Sequence, residues 1–275
     1  MIKCYYMNIR ESCSREEQQY LECILPEERR VRMKQLVQEE RALSFLMSSV
    51  FMQYGISLAL GLPITQITYQ YNEFGKPMLA DLTIEKLMKA MLEESVVTRT
   101  MEEPILVSST TDLNKIDFNL SHSGTYAVLA VSDQPIGIDI EKKRHNRANV
   151  AKRCFCDEEY RNIMEAESEE EQDIRFFDYW TMKEAYIKRN GAGLKIPLNS
   201  FLIHRKEGEL SYTDDVYFIT SSFGKEQYRV SICSEQREEM NNIARYYGGL
   251  NDYIREITLD DVLKESKMSK RHEKR

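Results

Sequence analysis

A chain of 275 residues can hold one large domain or two smaller ones, and 42% apolar with 30% charged residues is a folded composition rather than a disordered one. The formal net charge of −7 argues against a general nucleic-acid binder, though not against a local basic patch. No run of about 18 apolar residues marks a membrane span, and the opening MIKCYYMNIR has no hydrophobic signal core, so a cytoplasmic monomer without membrane or nucleic-acid partners is expected.

From Leu21 to Ala59 the pattern is helical. Pro26, Glu27 and Glu28 suit a first turn, and Leu43, Leu46, Met47, Val50, Phe51 and Tyr54 recur at three-four spacing as a core stripe. Gly61-Leu62-Pro63 ends it. Arg29, Arg30, Arg32, Lys34 and Arg41 form a cationic group, readable as a solvated face or as a site for phosphates. Ile67 to Tyr71 alternates like a strand and enters a turn at 72–77, whose Gly75-Lys76-Pro77 allows close backbone approach by a ligand. Residues 82–94 carry a short amphipathic helix, and 95–115 are polar and irregular, as in a lid, an insertion or a loop.

Phe118 to Gly124 (FNLSHSG) reads as a polar approach to an apolar strand, Tyr126 to Val131. A turn at Asp133-Gln134-Pro135 leads to a second strand, Ile136 to Glu141, giving an expected hairpin and a hinge between two halves. The chain then turns basic (Lys142, Lys143, Arg144, Arg147, Lys152, Arg153), and acidic and helical over 157–173. In WTMKEAYIKRNGAGL, Trp180, Glu184 and Lys188 share one helix face, with Gly191 and Gly193 as the stop. Alone this is equally an ordinary Glu–Lys surface pair. Three strands follow, at Phe201 to His204, Val216 to Thr220 and Tyr228 to Cys233. Beyond about Leu263 the charged tail is expected to be disordered. The six cysteines are scattered, without a second pair beside Cys154 and Cys156, and read as free thiols.

In Gly137-Ile138-Asp139-Ile140-Glu141 the strand period puts Asp139 and Glu141 on one face, roughly 7 Å apart, with the isoleucines on the other. An exposed acidic edge would explain this; so would a hard cation such as Mg²⁺ with phosphate oxygens. Glu184 would supply a third carboxylate. Lys183, Lys188, Lys76 and the arginine group are candidate phosphate cations, and His122 beside Ser121 a candidate donor.

FNLSHSG, PIGIDIEKKR and FDYWTMKEAYIKRNGAGLKIPLNSF together resemble the Sfp-type 4′-phosphopantetheinyl transferases, over roughly residues 20–80 and 116–235. The resemblance implies an α+β fold of two pseudo-symmetric halves, each a small antiparallel sheet packed with a long helix. It divides the chain into 1–133, with an insertion at 82–112, 134–235, and a C-terminal extension at 236–275. It implies coenzyme A and Mg²⁺ in the cleft, with Asp139, Glu141 and Glu184 as metal ligands and Asp139, Glu184 and Lys188 as the catalytic set. Lys76, Pro77, Ser121, His122, Asp139, Lys183, Lys188, Arg32 and Arg41 would contact coenzyme A. Where relatives carry lysines for the 3′-phosphate this chain has Glu28 and Val31, so Arg29, Arg30, Arg32 or Arg41 would take over. The reaction implied is transfer of 4′-phosphopantetheine from coenzyme A to a serine of an apo acyl or peptidyl carrier protein. An acidic carrier would dock near Lys142–Arg153. A non-catalytic coenzyme A or carrier-protein binding module is the alternative.

Overall fold

The computed structural model describes residues 1–92, 113–145, 147–205, 210–225 and 227–273. Its first half opens with strand β1 (Ile2–Asn8) and helices α1 (Arg15–Glu22), α2 (Glu27–Lys34) and α3 (Glu39–Leu60). Ser14 and Glu17 close a capping box on α1, satisfying two of the amides that a helix start leaves unpaired. In the 22 residues of α3 the expected stripe is buried from Leu46 onward, with Leu43 half-buried against the same core, and Gly61, at φ 67°, ends the helix in the left-handed region. By length and mean hydropathy α3 could cross a membrane, but 83% of its most apolar window is buried inside the fold, as in a core helix.

A short hairpin, β2 (Tyr69–Tyr71) and β3 (Pro77–Leu79), precedes α4 (Asp81–Leu92). Thr83 and Leu87 of α4 are buried, and the Thr83 hydroxyl accepts from Thr68 N at 2.8 Å. The first turns of the expected insertion at 82–112 therefore belong to the core of this half; residues 93–112 lie outside the described residues. Strands β4 (Asp117–Ser123) and β5 (Tyr126–Ser132) complete a four-stranded sheet in the order β10-β1-β5-β4, whose outer member comes from the far end of the chain.

The second half contains β6 (Ile136–Lys142), α5 (Ala148–Cys154), α6 (Asp157–Met164), the 22-residue α7 (Glu169–Asn190), β7 (Ser211–Thr213), β8 (Val216–Phe223) and β9 (Tyr228–Ser234). Its sheet runs β6-β9-β8-β7. Strand β5 does not pair with β6 as a hairpin, because β1 and β4 already occupy both of its edges. The 133–135 turn instead carries the chain from one sheet to the other. The expected strand at Phe201 to His204 is reduced to a single bridge between His204 and Tyr212.

Side-chain alternation stacks these sheets between the long helices. Ala127, Leu129 and Val131 of β5 join the core under α3, whereas Val128 and Ala130 face the other way, onto Ile136, Ile138, Ile140, Val230 and Ile232 of the second sheet. Ala185 and Met182 of α7 pack on the far side of that sheet with Phe218 and Cys233. The layers are thus α3, first sheet, second sheet, α7. Gly137 permits the last contact: a Cβ there would lie 2.0 Å from Ala185 O.

After α8 (Arg237–Tyr247), β10 (Arg255–Glu256) adds in parallel to β1, and α9 (Leu259–Glu273) returns to the first core. Of the tail expected to be disordered, residues 264–273 form the second part of α9, and residues 274–275 lie outside the described residues. Leu259, Val262, Leu263, Ser266 and Ser269 are buried at three-four spacing, the serines small enough to continue the packed face although they are not apolar.

Gly137→Ala is expected to cost about 3 kcal/mol, the upper end of overpacking penalties, because backbone cannot move aside as a flexible side chain can. Denaturant unfolding measures it; an unchanged midpoint would mean that α7 does not press on β6.

Candidate active site

Strands β4 and β6 are edge strands of different sheets, joined by side chains instead of a backbone ladder. Asp117 Oδ2 accepts from Ile136 N at 3.0 Å, Ser121 Oγ from Ile140 N at 3.3 Å and Ser123 Oγ from Lys142 N at 3.1 Å. Each pair is separated by 19 residues, so the strands run side by side in the same direction. The same serines donate to the carboxylates of β6: Ser121 Oγ to Asp139 Oδ1 at 2.7 Å and Ser123 Oγ to Glu141 Oε2 at 2.9 Å. Segment 117–123, expected as a polar approach, is therefore a strand whose odd positions all face this joint.

Helix α7 lies over the joint and brings Lys188 to it. Its ammonium is 2.5 Å from Asp139 Oδ1 and 2.7 Å from Ser121 Oγ. That leaves Ser121 Oγ accepting twice and donating once, with no bonding capacity for a phosphate. One turn earlier, Glu184 feels the charges of Asp139 and Glu141. Burial is the main cause that pushes the Glu184 and Glu141 carboxyls above the ordinary carboxylate value; Asp139 adds to both shifts and Lys188 opposes them. Asp139 Oδ2 is buried without a hydrogen-bond partner.

His122 projects from the other face of β4. Partial burial and the positive charges of Lys188 and Arg10 push its imidazole below the ordinary value, against the pull of Asp139. Arg10, which the sequence reading passed over, also pairs with Glu40 at 2.5 Å, so the first turn of α3, with Arg41 exposed in it, borders the same rim.

Several expected phosphate cations are engaged elsewhere. Lys183 is fully buried: its ammonium lies 2.9 Å from Glu159 Oε1 and donates to the carbonyls of Leu198 at 2.7 Å and Phe201 at 2.5 Å. One residue is about 100° of helix, enough to turn it from the Glu184 face toward α6. Its assignment to coenzyme A is corrected to a structural one. Arg29 is buried against Ser49, Met52 and the rings of Phe45 and Tyr69. The guanidinium of Arg32 lies 5.8 Å from the Phe45 ring centre. Lys76 pairs with Asp117 at 2.8 Å, and Pro77 faces Tyr71 in the β2–β3 pair.

Beside Glu141 opens a cavity of about 250 Å³, floored by Val150, Phe176, Phe177 and Trp180 and rimmed by Lys142, Arg144 and Arg147. Trp180 stacks on Phe176 with centres 5.7 Å apart. Ser123, Asp117 and Asn119 were not singled out in the sequence. Their signal was the period-two polar pattern of DFNLSHS, legible once that segment is taken as a strand.

Among the described residues no three acidic, histidine or cysteine side chains form a closed metal cage. The chemistry of the side chains nevertheless suits a hard cation: three carboxylates that feel one another's charge, an orphaned buried carboxylate oxygen, and two carboxyls whose ionisation a nearby positive charge would ease.

A sequence model described as the 4′-phosphopantetheinyl transferase superfamily matches residues 135–233, the span that carries β6, α7 and β9. The chain is 29% identical over 211 residues to 4′-phosphopantetheinyl transferase Sfp of Bacillus subtilis, covering 76% of this chain and 80% of that protein. A second Bacillus subtilis 4′-phosphopantetheinyl transferase is 27% identical over 238 residues, 85% of this chain and 92% of the relative. The gsp transferase of Aneurinibacillus migulanus is 26% identical over 207 residues, 75% and 73% of the two chains. Relatives aligned over three quarters or more of this chain, and a family match centred on the strand and helix that meet at the joint, make the chain similar to the Sfp-type 4′-phosphopantetheinyl transferases.

Proposed function

We propose that the chain transfers 4′-phosphopantetheine from coenzyme A to a serine of an apo carrier protein, releasing adenosine 3′,5′-bisphosphate. The observation that carries this is the meeting of Asp139, Glu141, Glu184 and Lys188 where β4, β6 and α7 converge, in a chain aligned with such transferases over most of its length. The two halves, each a four-stranded sheet with a 22-residue helix, would be pseudo-symmetric, with the donor bound across their joint.

In the reaction the carrier serine oxygen attacks the β-phosphorus of coenzyme A, and the bond from that phosphorus to the bridging oxygen breaks. Such transfer depends on positioning and charge neutralisation more than on covalent participation by the protein. Asp139, Glu141 and Glu184 would hold Mg²⁺, which supplies charge neutralisation on the pyrophosphate. Glu184, directly or through water, is the candidate base for the serine proton. Lys188, freed from Asp139 as the donor binds, would steady the pyrophosphate and assist departure of the bisphosphate.

For the carrier we propose the cavity beside Glu141. Its basic rim would steer an acidic partner, and its aromatic floor would take an apolar side chain next to the reacting serine.

Incubation with labelled coenzyme A, Mg²⁺ and a panel of apo carriers tests the whole reading; no transfer to any of them would sink it. Glu184→Gln should abolish turnover with little change in melting temperature, and Lys188→Ala should lower kcat by roughly a hundredfold with a smaller effect on coenzyme A affinity.

The raised carboxyls set the pH dependence of metal binding. Their protonated forms are favoured by the folded state, so without metal the stability they lend is greatest at low pH and falls as pH rises through the raised values. Mg²⁺ must displace those protons. Its stabilising shift in Tm should therefore be large near neutral pH and much smaller at about pH 5. An equal shift at both would separate the metal from Glu141 and Glu184.

Reversal of Lys142, Arg144 and Arg147 to Glu should raise KM for the carrier by about tenfold or more at low salt, an effect that salt weakens. Coenzyme A binding should hardly change. A constant carrier KM would move docking elsewhere.

A further inference from the structure

The last turn of α7 is held from outside the second half. Lys76, in the β2–β3 turn, directs its ammonium to the Arg189 carbonyl at 3.4 Å and to Asp117 Oδ2 at 2.8 Å. Asn72, at the start of that turn, donates its side-chain amide to Gly191 O at 3.0 Å. From β4, Asn119 donates to Lys188 O at 3.3 Å. A helix leaves its final carbonyls without intrahelical partners and carries its negative dipole end there, so amides and a cation are what that end recruits. Here all of these donors come from the first half.

The hairpin is shaped for this contact. Asn72 Oδ1 accepts from Phe74 N at 2.9 Å and from Lys76 N at 2.8 Å, which folds the turn around its own side chain. Gly191 sits at φ 68°, and a Cβ on it would come within 3.1 Å of Lys76 Cδ and 3.2 Å of Asn72 Nδ2. The glycine that stops α7 is therefore also the one that lets the hairpin close over it. Lys76 and Asp117 are only 14% and 16% exposed, and Asp117 also accepts from the first amide of β6. One ion pair thus reaches the end of α7 and the start of the metal-ligand strand.

We propose that the β2–β3 turn is a clamp on the end of α7, and that Lys76, with Asn72, Asn119 and Asp117, is a positioning residue that holds Lys188 over Asp139. The proposal rests on the transferase reading, since Lys188 acts there. Lys188 precedes the carbonyl that Lys76 grips by one residue. Loosening the final turn spreads the ammonium over several positions, and a misplacement of about 1 Å in a positioned group is costly to the chemical step. On this reading the Lys76 ammonium serves the helix and not the nucleotide.

The test compares Lys76→Met, which keeps the stem and removes the charge, with Lys76→Arg, which keeps a cation. Steady-state kinetics with coenzyme A, Mg²⁺ and an accepted apo carrier should show Lys76→Met lowering kcat about tenfold. KM for coenzyme A should stay within about threefold, and Lys76→Arg should regain most of the loss. A raised KM at constant kcat would make Lys76 a substrate contact and overturn the clamp. So would a lower Tm with both constants unchanged.

Amide hydrogen exchange gives a readout that needs no substrate. In Lys76→Met the amides of 187–191 should exchange at least about tenfold faster, while those early in α7 keep their protection. Unaltered exchange at 187–191 overturns the clamp whatever the kinetics show. A wild-type protein that transfers nothing would overturn the transferase reading instead, and the exchange result would still decide whether the hairpin holds the helix.

Discussion

The joint between β4 and β6 is the contact on which the rest of the structure depends. Two edge strands of separate sheets run in one direction, and serine and aspartate side chains replace the backbone bonds that would merge them. Had the strands paired through their backbones, their spacing would close to about 4.8 Å and one continuous sheet would cover the site. Side chains of this kind hold the strands apart yet satisfy the amides of β6, which would otherwise be costly to bury. The cost appears as charge: Asp139 is kept buried and Glu141 half-buried beside it, with Glu184 added from α7.

Lys188 resolves that crowding when no other cation is present. It lies against Asp139 and Ser121, which is why one of Asp139's oxygens is satisfied and the other is not. An ion pair of this sort is a poor source of stability, because desolvation offsets most of its attraction. Its value is in being exchangeable. On the proposed reaction, a divalent ion and a pyrophosphate would each take one member of the pair, and the lysine would stay within a side chain's reach of the leaving group. Lys183, its neighbour in the motif, has the opposite character. With Glu159 and two carbonyls it is closed off from solvent, and removing it alone would strand a buried carboxylate at about 3–5 kcal/mol.

Much of this was legible in the residues. Period two placed Ile138 and Ile140 inward and the carboxylates together; period 3.6 put Glu184 and Lys188 on one face of α7; the core stripe of α3 was plain. What failed were inferences from proximity along the chain. Lys183 was grouped with Lys188 because both are cations of one motif, although its helical angle points it away. Two consecutive strands suggested a hairpin, but pairing is decided by which edges are free, a property of the whole sheet. Arg29 was open to a solvated face or a phosphate site, and its guanidinium is instead buried against two aromatic rings and a serine, a destination that charge alone does not reveal. The tail beyond about Leu263 was read as disordered because it is charged and short of apolar residues. Its packed face is built from serines, and the helix docks because Leu259, Val262 and Leu263 anchor its first turns.

The stacking order also explains why the acidic site and the basic rim adjoin in a chain with a net charge of −7. Strand β6 ends at Lys142, one residue beyond Glu141, and the chain must then leave the sheet to reach α5. The segment that follows begins beside the carboxylates, and the helices beyond it, α6 and α7, carry exposed acidic residues in their first turns, Asp157, Glu158, Glu169 and Glu170. Burial raises the Glu141 and Asp178 carboxyls, and positive residues of this segment oppose both shifts: Arg144, after Lys188, at Glu141, and Lys143, after Arg229 and Arg205, at Asp178 in the middle of α7. The basic rim therefore has a reason to exist within the isolated chain, as compensation for the charges that flank it. The same residues face the cavity whose aromatic floor lies next to Glu141. On the proposed docking, a partner that brings its own acidic groups to this rim would compete with those internal contacts.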